Sequence, residues 1–222
     1  MGRLYQKGNG MCIKRVCDNE VRVVYVLTTY KGIANKQDFH KVKDMKIIPR
    51  PNDDEYSPSA KGYIDLVPQD GKVLEHLAAS VKTGKELVLT LPPKKLTYRW
   101  GDGEWTVKEI LVHIMDTERI LTYRALRFAR NDATELAPYD HEKFVSFSGA
   151  NERKTEEILK EFASIRRATI TLFNSLDEMA LTRAGMVNGK RVSVRGLVYM
   201  VLGHELHHVN SIKENYAQVH LT

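Results

Sequence analysis

The stretch Gly203-His204-Glu205-Leu206-His207-His208-Val209-Asn210-Ser211-Ile212-Lys213-Glu214 decides how the rest of the chain is read. It lies in a segment from Ser193 to about Gln218 whose apolar positions keep a helical period. Val194, Leu197, Val201, His204, His208 and Ser211/Ile212 step by three or four along one seam. Histidines four apart stand one turn from each other on one helical face, so both rings can reach the same metal ion. His204 and His207, three apart, also satisfy that geometry. The seam, however, turns His204 and His208 toward the core and sets His207 beside them. A core imidazole needs a partner, because an unpaired buried polar ring costs free energy. A shared ion would be that partner; a hydrogen bond to a neighbouring helix is the plainer alternative.

From His204 to His208 the sequence also reads H-E-x-x-H, a pattern in which two histidines bind zinc and the glutamate serves as base. Such a site needs a third ligand. Only 14 residues follow His208, and their one histidine, His220, lies near the terminus. The third ligand is therefore expected upstream. Glu205 is turned about 100° from His204 around the helix, which argues against the metalloprotease role.

The 222 residues, 42% of them hydrophobic, have room for one domain with a real core. No run approaches the roughly 20 apolar residues of a membrane span, and the N-terminus lacks a signal-peptide pattern. No membrane association and a cytoplasmic location are expected. Cys12 and Cys17 are the only cysteines, and they form no disulfide framework. The net charge of +6 is unevenly placed. Residues 1–44 hold nine Lys/Arg against four Asp/Glu, which leaves the other 178 residues at only +1. Arg124, Arg127 and Arg130 are spaced three apart, but such a ridge on a nearly neutral domain is expected to be solvated or ion-paired. No nucleic-acid partner is expected, since a phosphate-tracking protein needs a broad basic face.

Residues 1–44 are expected to be a poorly structured N-terminal extension, and 45–222 the domain. Val21 to Leu27 has strand propensity, but no hairpin partner is evident, and a lone strand is unstable. Pro49 to Pro68 reads as an extended arm. Four amphipathic helices are predicted over about 70–91, 106–130, 152–176 and 193–217, an all-α four-helix bundle. Pro92-Pro93 stops the first. Thr106-Val107-Lys108-Glu109 fits a capping box opening the second, with Trp105 as a staple. A short helix is expected within Tyr139–Phe147, and Asn188-Gly189 marks a turn that tops either a small hairpin or a loop.

Helix two carries His113 inside Ile110-Leu111-Val112-His113-Ile114-Met115. A lone core histidine is usually a satisfied structural residue, but here a core-facing His pair is available on another helix. His113, His204 and His208 would form a three-histidine site, leaving one coordination position open for water or substrate, as in catalytic rather than structural sites. Asp116, near His113, is a candidate acceptor holding a ring tautomer, or an ordinary helix-pairing carboxylate. No protein nucleophile is evident: both cysteines lie in the extension, and no G-x-S-x-G elbow occurs. Asp116, Glu205 and His207 are the candidate proton carriers. The third helix offers no ligand and is expected to leave one wall free for substrate.

Several motifs together carry a resemblance. They are Gly103-Glu104-Trp105-Thr106-Val107-Lys108-Glu109 running into His113, then His113-Ile114-Met115-Asp116-Thr117-Glu118, Tyr123-Arg124-Ala125-Leu126-Arg127-Phe128-Ala129-Arg130, and Gly203-His204-Glu205-Leu206-His207-His208. Over about Met45 to Tyr216 the chain resembles the DinB/YfiT-like superfamily of metal-binding four-helix bundles. The resemblance implies a divalent metal, often nickel or zinc, on the residues matching His113, His204 and His208, and a homodimer. It also implies a small-molecule substrate. Relatives include transferases and isomerases that use low-molecular-weight thiols, and proteins classed as metal-dependent hydrolases. A non-catalytic metal-binding or stress-response module is the reading from a different class.

Overall fold

The computed structural model describes residues 4–7, 10–17, 20–26 and 45–217. The chain divides into two compact units, Met1–Asp38 and Phe39–Thr222. The first contains a three-stranded antiparallel sheet in the order β1 (Leu4–Lys7), β2 (Gly10–Cys17), β3 (Glu20–Val26). Lys7 pairs with Gly10, and Cys17 with Glu20. The strand expected over 21–27 is thus present, but the expectation that it lacks a hairpin partner is corrected. The Lys- and Arg-bearing runs within the strands hid the pairing. The rest of the extension expected over 1–44 lies outside the described residues, as does His220.

The second unit is a four-helix bundle. After Pro49 come two short 3-10 turns and α1 (Lys61–Asp65), where an extended arm is expected from sequence. The long helices are α2 (Val73–Thr90), α3 (Val107–Ala129), α5 (Thr155–Ser175) and α7 (Val194–Ile212), the last continued by a π-helical turn over Lys213–Ala217. All four fall where the apolar periodicity predicts, within the usual uncertainty at helix ends. α4 (His141–Ser146) occupies the Tyr139–Phe147 segment, and α6 (Glu178–Thr182) leads into a hairpin of β4 (Ala184–Val187) and β5 (Lys190–Ser193). Asn188 and Gly189 top that hairpin with φ of 48° and 69°, the two consecutive positive values of a type I′ turn. α2 packs against α5 and α7, and α3 packs against the same two, which closes a square. Among the described residues no helix is long and apolar enough to cross a membrane.

Local chemistry explains the helix that matters most. Thr106 Oγ1 accepts from the Glu109 amide at 3.1 Å, and Glu109 Oε2 accepts from the Thr106 amide at 2.8 Å. This capping box satisfies two of the N–H groups that a helix start leaves free. At the other wall, α1 lies directly on α7. A side chain at Gly203 would collide with the Tyr63 carbonyl, so glycine there permits the close approach.

The core comprises two apolar clusters. One includes Leu77, Leu121, Ile170 and Leu202; the other includes Val88, Ile114, Phe162 and Ile212. Along every long helix a polar residue falls between them: Ser80 on α2, Glu118 on α3, Arg166 on α5 and Glu205 on α7. Arg166 is 0% exposed. Its Nε and Nη2 donate to the two Glu118 carboxylate oxygens at 2.9 Å each, and Nη2 lies 2.8 Å from Glu205 Oε2. Nη1 donates to the Leu77 carbonyl at 2.9 Å and to Ser80 Oγ at 2.6 Å. Ser80 Oγ also lies within hydrogen-bond distance, 3.0 Å, of Glu205 Oε2. One guanidinium therefore ties all four helices together. Burial pushes the Glu205 carboxyl up, with Arg166 opposing and Glu118 adding to the shift.

Removing the cation alone should be costly. Arg166→Leu strands two carboxylates in the core, and a loss of about 3–5 kcal/mol in chemical denaturation is expected. The joint replacement Glu118→Leu, Arg166→Met, Glu205→Leu should recover most of that loss, because an apolar layer of similar volume leaves no group unpaired. A joint variant less stable than Arg166→Leu would show that the layer holds the fold by more than charge pairing.

Candidate metal centre

α3 and α7 bring the three histidines together. His113 Nε2 stands 2.9 Å from His204 Nε2, which stands 3.1 Å from His208 Nε2. One nitrogen from each ring lies within 4.8 Å of the other two. An imidazole nitrogen carries either one N–H or one lone pair in the ring plane. Nε2 of His204 can therefore satisfy only one of its two neighbours with a well-directed hydrogen bond. A tetrahedral ion with nitrogens at about 2.0–2.1 Å holds them about 3.3 Å apart. The observed spacings are close to that, so these donors fit a shared divalent ion better than they fit mutual hydrogen bonding.

The surroundings keep the rings neutral. His113 and His204 are buried. Burial, followed by the neighbouring His141, lowers the His113 pKa to about 4. Burial and the adjacent rings lower His208 to about 3 and hold His204 well below the ordinary histidine value. Trp105 packs over the cluster, its ring centroid 4.6 Å from His113 and 6.1 Å from His208. Tyr63 of α1 meets His204 edge-on at 5.5 Å. Trp105 has the staple position predicted from sequence, but its larger role is as a wall of the site, which periodicity does not reveal.

The sequence candidates for proton transfer go elsewhere. Glu205 points into the Arg166 layer, as its rotation from His204 requires. Asp116 is engaged by Arg119 Nη1 at 3.3 Å, and no hydrogen bond joins it to His113. His207 is exposed, with its ring against Tyr63 and His208. None of these three lines the cavity beside the histidines. That cavity, about 260 Å³, is bounded by α3, α7, α1 and the segment around Tyr139 and His141. The free wall expected at the third helix is thus on the other side of the bundle, because α1 and α4 fold over the α3–α7 groove.

Two cavity residues escaped the sequence reading. His141 at the start of α4 lies with its ring 5.8 Å from His113. Tyr139 Oη shares a 2.7 Å hydrogen bond with Thr117 Oγ1, and burial raises the pKa of its hydroxyl. Thr117 lies one turn beyond His113, a spacing that could have pointed to it; His141 and Tyr139 sit in a connecting segment with no periodicity to read.

Known proteins resemble this chain in sequence and in fold. A DinB superfamily model matches residues 73–212, more than half of the chain. A protein of Oceanobacillus iheyensis named "Putative metal-dependent hydrolase" is 28% identical over 131 residues, covering 58% of this chain and 74% of that protein. YfiT from Bacillus subtilis, described as a probable metal-dependent hydrolase with an unusual four-helix bundle topology, is similar in fold. Its TM-score is 0.57 at 15% identity, over 79% of this chain and 98% of that one. A DinB-like protein from Bacillus subtilis aligns at a TM-score of 0.48 and 14% identity, over 68% and 93% of the two chains.

The depressed histidine pKa values set a pH dependence for the metal-free protein. In the unfolded chain each ring takes up a proton near pH 6.5. In the folded chain His113 and His208 refuse it until about 4 and 3. The unfolded state therefore binds more protons below pH 6.5, and stability falls with pH by about 1.4 kcal/mol per unit for each excluded proton. Denaturation of chelator-treated protein between pH 7 and 4.5 should show this loss. His208→Phe, with one fewer excluded proton, should give a shallower slope; an unchanged slope would contradict the assignment.

Proposed function

The chain belongs to the DinB superfamily, and from that premise we propose that it is a metal-dependent hydrolase acting on a small molecule, with one divalent ion held by His113, His204 and His208. One observation carries the reading: the Nε2 atoms of three neutral rings converge at 2.9 and 3.1 Å beside a cavity. Three imidazole donors suit zinc or nickel, and three protein ligands leave a position open toward the cavity. The names of the Oceanobacillus and YfiT proteins support hydrolysis as the reaction class.

When bound, the ion would supply Lewis acidity that polarises a substrate carbonyl and makes a nucleophile more acidic. The protein's own residues do the rest. Trp105 and Tyr63 cover the rings and limit access of bulk water, which strengthens electrostatic interactions inside. Tyr139, protonated at neutral pH as any tyrosine is and held further from ionisation by burial, presents a hydroxyl held by Thr117. It is placed to donate a hydrogen bond to a substrate oxygen. His141 sits at the mouth, where an imidazole can take a proton from the attacking group and return it to the leaving group. Glu205 remains in the buried layer and supports the helix that carries His204 and His208.

Metal analysis of the purified protein tests the centre, followed by a screen of esters and amides with and without added low-molecular-weight thiol. Wild type should retain about one divalent ion per chain. His113→Ala, His204→Ala and His208→Ala should lose it, and His207→Ala should keep it. The metal-free variants should stay helical by circular dichroism, since the apolar clusters and the Arg166 layer close the core without an ion. His141→Gln should keep the metal and lose turnover by roughly 10²-fold. Unchanged metal content in His204→Ala would remove the site. Turnover that appears only with added thiol would replace hydrolysis by thiol transfer.

A further inference from the structure

Arg124 is buried at 9% exposure, yet no carboxylate pairs with it among the described residues. Its Nη2 donates to the Ala137 carbonyl at 2.9 Å, and its guanidinium carbon lies 5.8 Å from the centre of the Tyr139 ring. Burial pushes its pKa down, with Tyr139 offering only partial compensation. The other buried cations are accounted for differently. Arg166 has Glu118 and Glu205, and Lys95 donates to the Tyr216 carbonyl at 2.5 Å, closing the end of α7. A buried charge is ordinarily paired; Lys95 and Arg124 each have only a carbonyl, and of the two it is Arg124 that opens on a cavity.

That space is the one already described. Arg124 lines the 260 Å³ cavity beside the histidines and also a second cavity of about 230 Å³ that continues toward the β4–β5 hairpin. Both cavities share Leu121, Tyr139 and Met200 with Arg124. On α3, Arg124 follows His113 by eleven positions, which is three turns, about 16 Å along the axis and about 20° in phase. The His113 ring and the guanidinium therefore stand on one face, with Thr117 and Leu121 between them.

Resting on the metal-centre reading above, we infer that the substrate is a small monocarboxylate, its carboxylate received by Arg124 and its reacting group placed at the three histidines. A guanidinium offers parallel N–H donors that match a carboxylate's two oxygens. In the cavity beside the histidines Arg124 is the one lysine or arginine among the lining residues, and one cation balances one negative charge, which favours a carboxylate over a phosphate dianion. The hydrocarbon between the two ends lies on Leu121 and Met200. Arg124 is thus a specificity-determining residue rather than a participant in bond breaking. Its charge, left uncompensated in the free protein, becomes paired when substrate enters.

The test reads binding rather than turnover. Hexanoate and its uncharged counterpart hexanamide are titrated by NMR into wild type, Arg124→Met and Arg124→Lys, each checked by circular dichroism. Wild type should prefer hexanoate by about tenfold or more. Arg124→Met should bind the two alike. Arg124→Lys, which keeps the charge but loses the fork, should retain only part of the preference, and it carries the test if the methionine variant does not fold. Equal binding of the two ligands to wild type, or a preference that survives both substitutions, overturns the inference. So does Arg124-dependent binding of methyl phosphate tighter than that of hexanoate. Failure of the metal centre has a separate signature, the absence of a divalent ion from wild type, and leaves this comparison readable on its own.

Discussion

Arg166 sits in the middle of the bundle with no exposure to solvent, and its five N–H donors have to be met by the helices around it. They are met from three sides: Glu118 on α3, Glu205 on α7, and Leu77 and Ser80 on α2. Such a layer is a poor source of net stability, because taking charges out of water costs several kcal/mol per ion before any attraction is recovered. Its strength is as a constraint. Sliding one helix by a turn, about 5.4 Å, would preserve much of the apolar contact between Leu- and Ile-rich faces. It would not preserve the pairing, and an unpaired buried charge is among the most costly defects a core can hold. The apolar clusters on either side make the bundle compact, and the polar layer fixes its register.

That register matters because the candidate site is built from the same two helices. Glu205 directly follows His204, and Glu118 follows His113 by five residues, so each helix presents a charged face to the layer and a histidine face to the cavity. Ring nitrogens of α3 and α7 meet at 2.9 Å only if the two helices are aligned to within a fraction of an ångström. The Arg166 layer aligns them with no ion required. Gly203 adds a second condition. By admitting the Tyr63 backbone against α7, it lets α1 cover His204 and so adds to the burial that keeps that ring neutral.

The parts legible from sequence are those governed by periodicity. The seam through Val194, Leu197, Val201, His204 and His208 gives both the helix and the face it buries, and the Thr106–Glu109 pair marks the start of α3. Rotation alone places Glu205 away from the histidines. What escapes is whatever depends on partners brought from afar. Glu205 looks like a candidate proton carrier until Arg166, 39 residues earlier, is known to face it. Arg124 looks like one of three exposed arginines, yet Arg127 pairs with Asp132 at the surface while Arg124 turns inward. Spacing by three drifts about 60° around a helix at each step, enough to carry a ridge from cavity to solvent. Tyr139, His141 and α1 lie in irregular or short segments, where no repeating pattern reports which side faces the protein. In the N-terminal sheet, charged strand residues hid the pairing.

The same burial that makes the three rings poor bases toward protons makes them available to a metal. A proton and a divalent ion compete for one lone pair, and a solvated histidine near neutral pH divides its time between protonated and free forms. Here His113 is held to about 4 and His208 to about 3, so proton competition is absent over the physiological range. A protonated ring would also face its neighbours' charge across about 3 Å, the spacing of the ring nitrogens, a repulsion that opposes multiple protonation. A divalent ion faces no such penalty, because it satisfies all three nitrogens at once. Burial without an ion therefore leaves His204 Nε2 confronting two nitrogens with a single proton or lone pair, an arrangement that mutual hydrogen bonding cannot complete. The cluster is unfavourable for protons and imperfect for hydrogen bonds, and those two properties together favour metal coordination more strongly than the spacing of the histidines in the sequence does.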